Sequence, residues 1–128
     1  MKANALAKHT VHICSNERIF DPKYAAFTAR LVDTTVRAGQ LLWMANNVKV
    51  DDKPYRWERR RSYQEQGCEE LDSLLYLIEI AHSLYHLRDG KYKYWVRITS
   101  ETRDLARKWR DSDARRYGHL SGSGRQAE

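Results

Sequence analysis

Proline and glycine are scarce in this chain: 2 Pro and 6 Gly among 128 residues, with three of the glycines after residue 117. That scarcity argues against a turn-rich β fold and leaves long uninterrupted segments that favour helices. Cysteine is limited to Cys14 and Cys68, which are far apart and read as free thiols of a cytoplasmic chain. No apolar run approaches the ~18 residues that a membrane span needs. Met1 to Cys14 contains Lys2, Lys8 and two histidines but no apolar core of a secretion signal. We therefore expect a cytoplasmic protein with no membrane partner. A P-loop, a nucleotide-binding glycine fingerprint and a serine elbow are all missing. The length fits one domain with a single core.

Charge is abundant and unevenly placed. The net charge is +6. Residues 1–52 carry net +2, residues 53–61 net +4, residues 62–87 net −5 and residues 88–117 net +5. Two basic blocks thus flank an acidic stretch, and a basic surface of this kind commonly meets nucleic acid or an acidic protein. A merely solvated surface is the alternative.

The acidic stretch, Tyr63 to Leu87, has 25 residues without one Lys or Arg. At helical spacing Tyr63, Gly67, Leu71, Leu74, Leu75, Ile78, Ala81 and Tyr85 share one face. Tyr76, Leu77, Ile80, Leu84 and Leu87 cover much of the other. A helix apolar on both sides needs a cover on both sides. We expect those five residues to form an oligomer interface, since a patch of that kind is too apolar to face water.

In chain order, residues 1–21 show no clear period and are expected to form a short helix or an arm anchored by Ile13, Ile19 and Phe20. Asp21-Pro22 starts the first long helix, with Asp as cap and Pro in the first turn. Its stripe is Tyr24, Phe27, Leu31, Thr35, Ala38, Leu42 and Ala45. Gly39 within it costs ~1 kcal/mol relative to Ala, which a close helix crossing would account for, as would chance. Pro54 marks the second long helix, about Tyr55 to Leu87, and Gly90 is expected to supply a left-handed turn after it. The third runs from about Lys91 to Arg116, with Trp95, Ile98, Thr102, Leu105 and Trp109 as a seam. Residues 118–128, rich in Ser and Gly, are expected to be a disordered tail. The fold class is all-α: an up-down antiparallel bundle over residues 22–117, of the four-helix-bundle type, with three long helices plus the N-terminal segment.

Candidate chemistry is thin. Glu79 and His82 form one Glu-x-x-His pair, whereas di-iron bundles use two pairs and two further carboxylates. A hydrogen-bonded histidine is the simpler reading, and no metal or cofactor is expected. His12 and Cys14 lack an oriented third group for thiol chemistry. Arg115, Arg116 and His119 only loosely approach the Arg-x4–6-His motif of helical HEPN ribonucleases, because the gaps are three and two residues. No catalytic residue is nominated.

The basic residues are the stronger signal. Lys53, Arg56, Arg59, Arg60 and Arg61 open the second long helix, Lys91, Lys93 and Arg97 open the third, and Arg103, Arg107 and Arg110 flank its seam. In an up-down bundle the Arg56–Arg61 cluster is expected beside Arg107 and Arg110, with Lys91 and Lys93 at the other end. Arginine at a helix start opposes the macrodipole by a few tenths of a kcal/mol, so an anionic partner would compensate. Trp57, Tyr92 and Tyr94 lie among these cations; they could stack on bases or simply pack the bundle ends, the second being the simpler reading. Tyr24, Tyr63, Trp95 and Trp109 are expected in the core.

Several segments together carry a family resemblance. They are Ile19-Phe20-Asp21-Pro22-Lys23-Tyr24, Ala45-Asn46, and Glu58-Arg59-Arg60 with Gln64. They continue with Leu74-Leu75, Ile78, Ile80 and Ala81, then Trp95 and Trp109-Arg110-Asp111-Ser112-Asp113. Over about residues 18–117 the chain resembles the accessory variability determinant (Avd) proteins of diversity-generating retroelements, especially the form found in gut bacteria and their phages. These are distantly similar to proteins encoded in intervening sequences of 23S ribosomal RNA genes. The resemblance implies a basic, barrel-shaped homopentamer that binds the reverse transcriptase and supports RNA-templated, adenine-mutagenic cDNA synthesis without catalysing it. Arg59, Arg60 and Arg110 match its basic binding surface. The chain departs from the pattern in a short N-terminal segment and in Ala25-Ala26. The expected function is thus a non-enzymatic accessory protein binding reverse transcriptase and RNA or cDNA. The alternatives are a small HEPN-like ribonuclease and a purely protein-binding structural bundle.

Overall fold

A computed structural model describes residues 2–126 of the chain, with side chains from residue 2 to 121. The described residues form four α-helices and one 3-10 turn: α1 (Lys2–Cys14), the turn Pro22–Tyr24, α2 (Ala25–Asn46), α3 (Pro54–Leu84) and α4 (Asp89–Gln126). The fold is an all-α helical bundle. Helix α2 packs on α3, α3 on α4, and α1 closes the ring by lying on α2 and α4. Cross-helix contacts run in opposite directions along each pair. Thr28 meets Tyr85 while Arg37 meets Glu70, and Arg60 meets Asp113 while Tyr92 meets Glu79.

The N-terminal segment is a helix rather than an extended arm. Ala3, Leu6, Thr10 and Cys14 recur at three- and four-residue spacing and are all buried. Trp95 Nε1 donates to Thr10 Oγ1 at 3.1 Å, which satisfies both polar atoms of a pair with no exposed surface. Phe20 is buried against Tyr85, with ring centroids 4.5 Å apart, and Ile13 and Ile19 flank it.

Both proline boundaries hold. The Asp21 carboxylate accepts from Lys23 N at 3.0 Å and caps the 3-10 turn that leads into α2. Pro54 opens α3 without a capping side chain on Lys53. Gly67 is where α2 and α3 approach closely: a Cβ there would stand 2.8 Å from Leu42 Cδ2. Gly39 has nothing within 4 Å of the corresponding position, so a close crossing is not its reason.

Three expectations give way. Helix α3 stops at Leu84, and the left-handed residue after it is His86 (φ 53°), not Gly90, which lies inside α4. Leu87 N donates to His82 O at 3.2 Å, the long closing bond of a Schellman-type end with histidine in place of glycine. Helix α4 is also longer than expected. The expected tail from residue 118 is helical to Gln126, while residues 127–128 lie outside the described residues. Leu120 is the cause: it is buried with Val50 and Trp57 in a small second cluster. Burying a Leu side chain gains roughly 1.5–3 kcal/mol, against ~1 kcal/mol for a helical glycine such as Gly118. Finally, of the expected α4 seam Trp95 and Thr102 are buried and Ile98 and Trp109 pack against the core, joined by Thr99, Ala106 and Asp113, whereas Leu105 is 47 % exposed. Helix α1 begins beside Glu101, where Lys2 Nζ lies 3.3 Å away, and so leaves Leu105 at the open end of the α1–α4 groove.

Candidate nucleic-acid interface

The end of the bundle where α2 passes into α3 is the basic end. Its geometry begins in the connector. Asp51 and Asp52 both take positive φ (47° and 60°), and Lys53 N donates to Val50 O at 3.0 Å. This is the pattern of a tight turn with two left-handed central residues, which Asp tolerates better than most side chains. The turn folds the chain back so that Lys49, Arg56 and Arg59 line one concave site of about 340 Å³ with Asn47 and Val48. Arg56 is held by Asp51 at 3.2 Å. Among the described residues no carboxylate lies within 4.0 Å of Lys49, Lys53 or Arg59. The first turn of α3 has no acidic residue, so the positive end of its dipole adds to the same field.

Arg60 belongs to the interior. Its Nε donates to Asp113 Oδ2 at 2.7 Å and its Nη1 to Val48 O at 3.2 Å. Its guanidinium lies 5.0 Å from the Trp109 ring centroid. Gln64, with no exposed surface, donates to the same Asp113 oxygen at 2.7 Å. Among the described side chains, Gln64 Oε1 is buried with no protein partner. This network ties the α2–α3 connector, α3 and α4 together, and the Glu58-Arg59-Arg60, Gln64 and Trp109–Asp113 segments all feed it. Arg61 faces Glu65 at 4.0 Å and is half-buried.

Trp57 is 1 % exposed, packs beside Tyr117 and donates from Nε1 to Ser121 Oγ at 3.0 Å. It is a packing residue and does not present a face to bases. Tyr92 stacks on His82 at 3.8 Å and donates to Glu79, whereas Tyr94 is 45 % exposed. Among the expected core aromatics Trp95 is buried, Tyr63 and Trp109 are half-buried, and Tyr24 is exposed.

The extra turns of α4 change which cations meet. The start of α3 lies level with Asp113 to Ser121, so Arg115 and Arg116 share this end of the bundle with Arg56–Arg61. Arg107 does not. It sits on Asp72 at 3.0 Å, where Arg103 also reaches the same carboxylate at 3.6 Å. Asp72 is twelve residues along α3 from Arg60, or roughly 18 Å at 1.5 Å per residue. Arg110 pairs with Asp111 at 3.1 Å and Arg97 with Glu101 at 3.9 Å. Lys91 and Lys93 are exposed at the opposite end, where Lys91 lines a cavity with Leu87. The eleven nominated cations therefore form no single surface. Sequence reasoning did not nominate Lys49; the signal available was its place two residues before a paired-Asp turn.

The five apolar residues read as an oligomer interface are also divided. Leu77 and Leu87 are buried within the protomer, at 5 % and 8 % exposure, as members of its main core. Leu84 packs against the same core and Ile80 is half-buried. Tyr76 alone stands well out, at 67 %. Exposed apolar surface instead concentrates on α2, where Trp43 is 63 % exposed, with Val36 and Met44 near it at helical spacing.

Burial pushes the Cys14 thiol up to about 12. It also raises the Cys68 thiol, which Arg110 and Arg107 partly oppose. Among the described residues no three His, Cys, Asp or Glu side chains converge as a metal site, and no described helix is long and apolar enough to cross a membrane. No protein-family model matches the chain, and neither a curated protein nor a solved structure is significantly similar to it.

Proposed function

We propose that this chain is a non-enzymatic, oligomeric adaptor that binds a polyanion at its basic end. In the Avd-like reading it holds structured RNA or cDNA beside a reverse transcriptase. The observation that carries this is the concave site of Lys49, Arg56 and Arg59 beneath the Asp51–Asp52 turn. Two of its three cations lack a carboxylate within 4.0 Å among the described residues. Lys53, Arg115 and Arg116 extend the same end. Repeated around a ring of subunits, such sites suit a long phosphate backbone better than a small ligand. Contacts of this type position a nucleic acid without reading its sequence. The exposed Val36, Trp43 and Met44 on α2, with Tyr76 on α3, supply apolar surface for contacts between copies.

The test uses wild type and a Lys49→Glu/Lys53→Glu/Arg59→Glu variant, titrated against single-stranded RNA, single-stranded DNA and the reverse transcriptase at two salt concentrations. These three residues are solvent-facing and make no ion pair among the described residues, so helicity should stay at the wild-type level. Loss of binding to nucleic acid, to the enzyme or to both supports the proposal and identifies the partner class. Equal binding by both proteins to all three would reduce the basic end to a solvated surface.

A further inference from the structure

At the opposite end of the bundle, two adjoining cavities lie where the segment after α1 meets the α3–α4 connector. The first, of about 200 Å³, is walled by Ile13, Ile19, Phe20, Leu87 and Trp95. The second, of about 380 Å³, shares Ile19, Leu87 and Lys91 with it and adds Arg18, His86 and Arg88. The first is apolar and the second is a mouth with three cations. Arg18, Arg88 and Lys91 are exposed, and among the described residues none has a carboxylate within 4.0 Å. Asp89, the nearest acid in sequence to Arg88, is turned to His82 at 3.7 Å.

The two halves have different chemistry and a shared wall. An apolar cavity of ~150 Å³ accommodates benzene, so the inner chamber has room for one aromatic ring or a short alkyl chain. The outer chamber offers ammonium and guanidinium donors that match a carboxylate. Together they fall within the ~300–1,000 Å³ typical of small-molecule sites, which are mostly apolar with a few convergent polar groups. The first turn of α4, at Gly90 and Lys91, borders the inner chamber, but Asp89 in the same turn opposes the positive end of that helix, so the cations of the mouth carry the preference for an anion.

We infer that this pair of cavities binds a small organic acid, its ring or alkyl chain among Phe20, Leu87 and Trp95 and its carboxylate between Arg18, Arg88 and Lys91. The site lies roughly 45 Å from the basic groove, the length of α3 at 1.5 Å per residue. It stands or falls independently of nucleic-acid binding.

Nuclear magnetic resonance titration with 3-phenylpropionate tests it, with 3-phenylpropanamide as the neutral isostere. The expected result is saturable movement of the Trp95 indole and Gly90 amide signals with the acid. Binding of the amide should be weaker by at least about tenfold, as loss of charge-assisted hydrogen bonds implies. An Arg18→Ala/Arg88→Ala/Lys91→Ala variant changes only exposed side chains and should bind the acid as weakly as wild type binds the amide. Ile19→Trp should fill the chamber and block both compounds; if it does not fold, the comparison of acid and amide on wild type still decides. Absence of saturable movement, equal affinity for acid and amide, or full affinity in the triple variant would each overturn the inference.

Discussion

Arg60 and Asp113 form an ion pair of 2.7 Å across the α3–α4 seam, with only 14 % and 6 % of their side chains exposed. The pair is supported on every side, by Gln64 and Val48 through hydrogen bonds and by Trp109 through its ring face. Removing one partner strands the other charge in the interior, which typically costs ~3–5 kcal/mol. Asp113→Ala should lower unfolding free energy by about 3 kcal/mol or more, read from urea denaturation. A loss of under about 1 kcal/mol, the range of surface pairs, would show that solvent reaches this pair. Arg60 substitutions are for the same reason unsuitable for testing nucleic-acid binding, because they act on the fold first.

At the basic end, affinity for single-stranded nucleic acid should fall with salt at a log–log slope of about −0.7 per phosphate contact. Arg59→Ala should flatten that slope by about one contact's worth, without shifting the denaturation midpoint. Arg107→Ala should leave the slope unchanged, since Arg107 is spent on Asp72 well down the bundle. Fluorescence anisotropy over a salt series checks both statements.

Contacts between copies should depend on α2 more than on the buried side of α3. Trp43→Glu should reduce the solution mass measured by light scattering while helicity stays high. Leu77→Glu should instead unfold the protomer, because Leu77 is 5 % exposed within it. If Trp43→Glu leaves the mass unchanged, the α2 face is not where copies meet.

Cys14 and Cys68 should resist thiol reagents in the native state at pH 8 and react on unfolding. Burial raises both thiols, Cys14 to about 12 from an ordinary 9.0. The sign for stability follows from that rise. The Cys14 contribution is complete below pH 9 and is lost as pH climbs from 9 toward about 12. A colorimetric thiol assay with and without denaturant measures the first effect, and unfolding curves at pH 8 and 10 the second.

His9 gives the opposite trend at low pH. Burial, and secondarily the neighbouring His12, lower its affinity for a proton below the ordinary 6.5. Its stabilising contribution is therefore present above pH 6.5 and is lost as pH falls through the lowered value. His9 sits edge-on to Tyr94 with centroids 5.1 Å apart, so α1 should loosen from α4 on acidification. Leu6 and Thr10 amides should exchange faster at pH 5 in wild type, after correction for intrinsic rates, and this acceleration should shrink in His9→Gln.

Much of the fold was legible because its signals are local. Asp21-Pro22 and Pro54 mark helix starts through backbone geometry alone, and Leu31, Thr35, Ala38, Leu42 and Ala45 are buried as their spacing indicates. The acidic half of α3 likewise buries Leu71, Leu74, Ile78 and Ala81. What stayed hidden depends on partners far apart in sequence. Gly118 and the serines after it read as a tail because Leu120 finds Val50 and Trp57 only in three dimensions. Arg60 reads as one cation in a cluster because Asp113, 53 residues away, claims it. Leu77 and Leu87 read as surplus apolar residues because the core partners that bury them lie far away in sequence. The basic site was half visible: Arg56 and Arg59 stand out, but the back-folding of Lys49 rests on two left-handed aspartates that composition does not announce.

Helix α1 spans 13 residues and α4 spans 38, about 20 Å against 57 Å. Alongside α1, from Lys91 to Thr102, the α4 backbone is enclosed by the full bundle; beyond Arg103 it rests on fewer neighbours. Backbone amides of α4 should therefore divide into two exchange classes, one opening only with global unfolding and one opening locally from the C-terminal side. The boundary between them, near Leu105, doubles as a gauge of assembly: a partner lying in the groove that α1 leaves vacant would move it toward the C-terminus without any new helix forming.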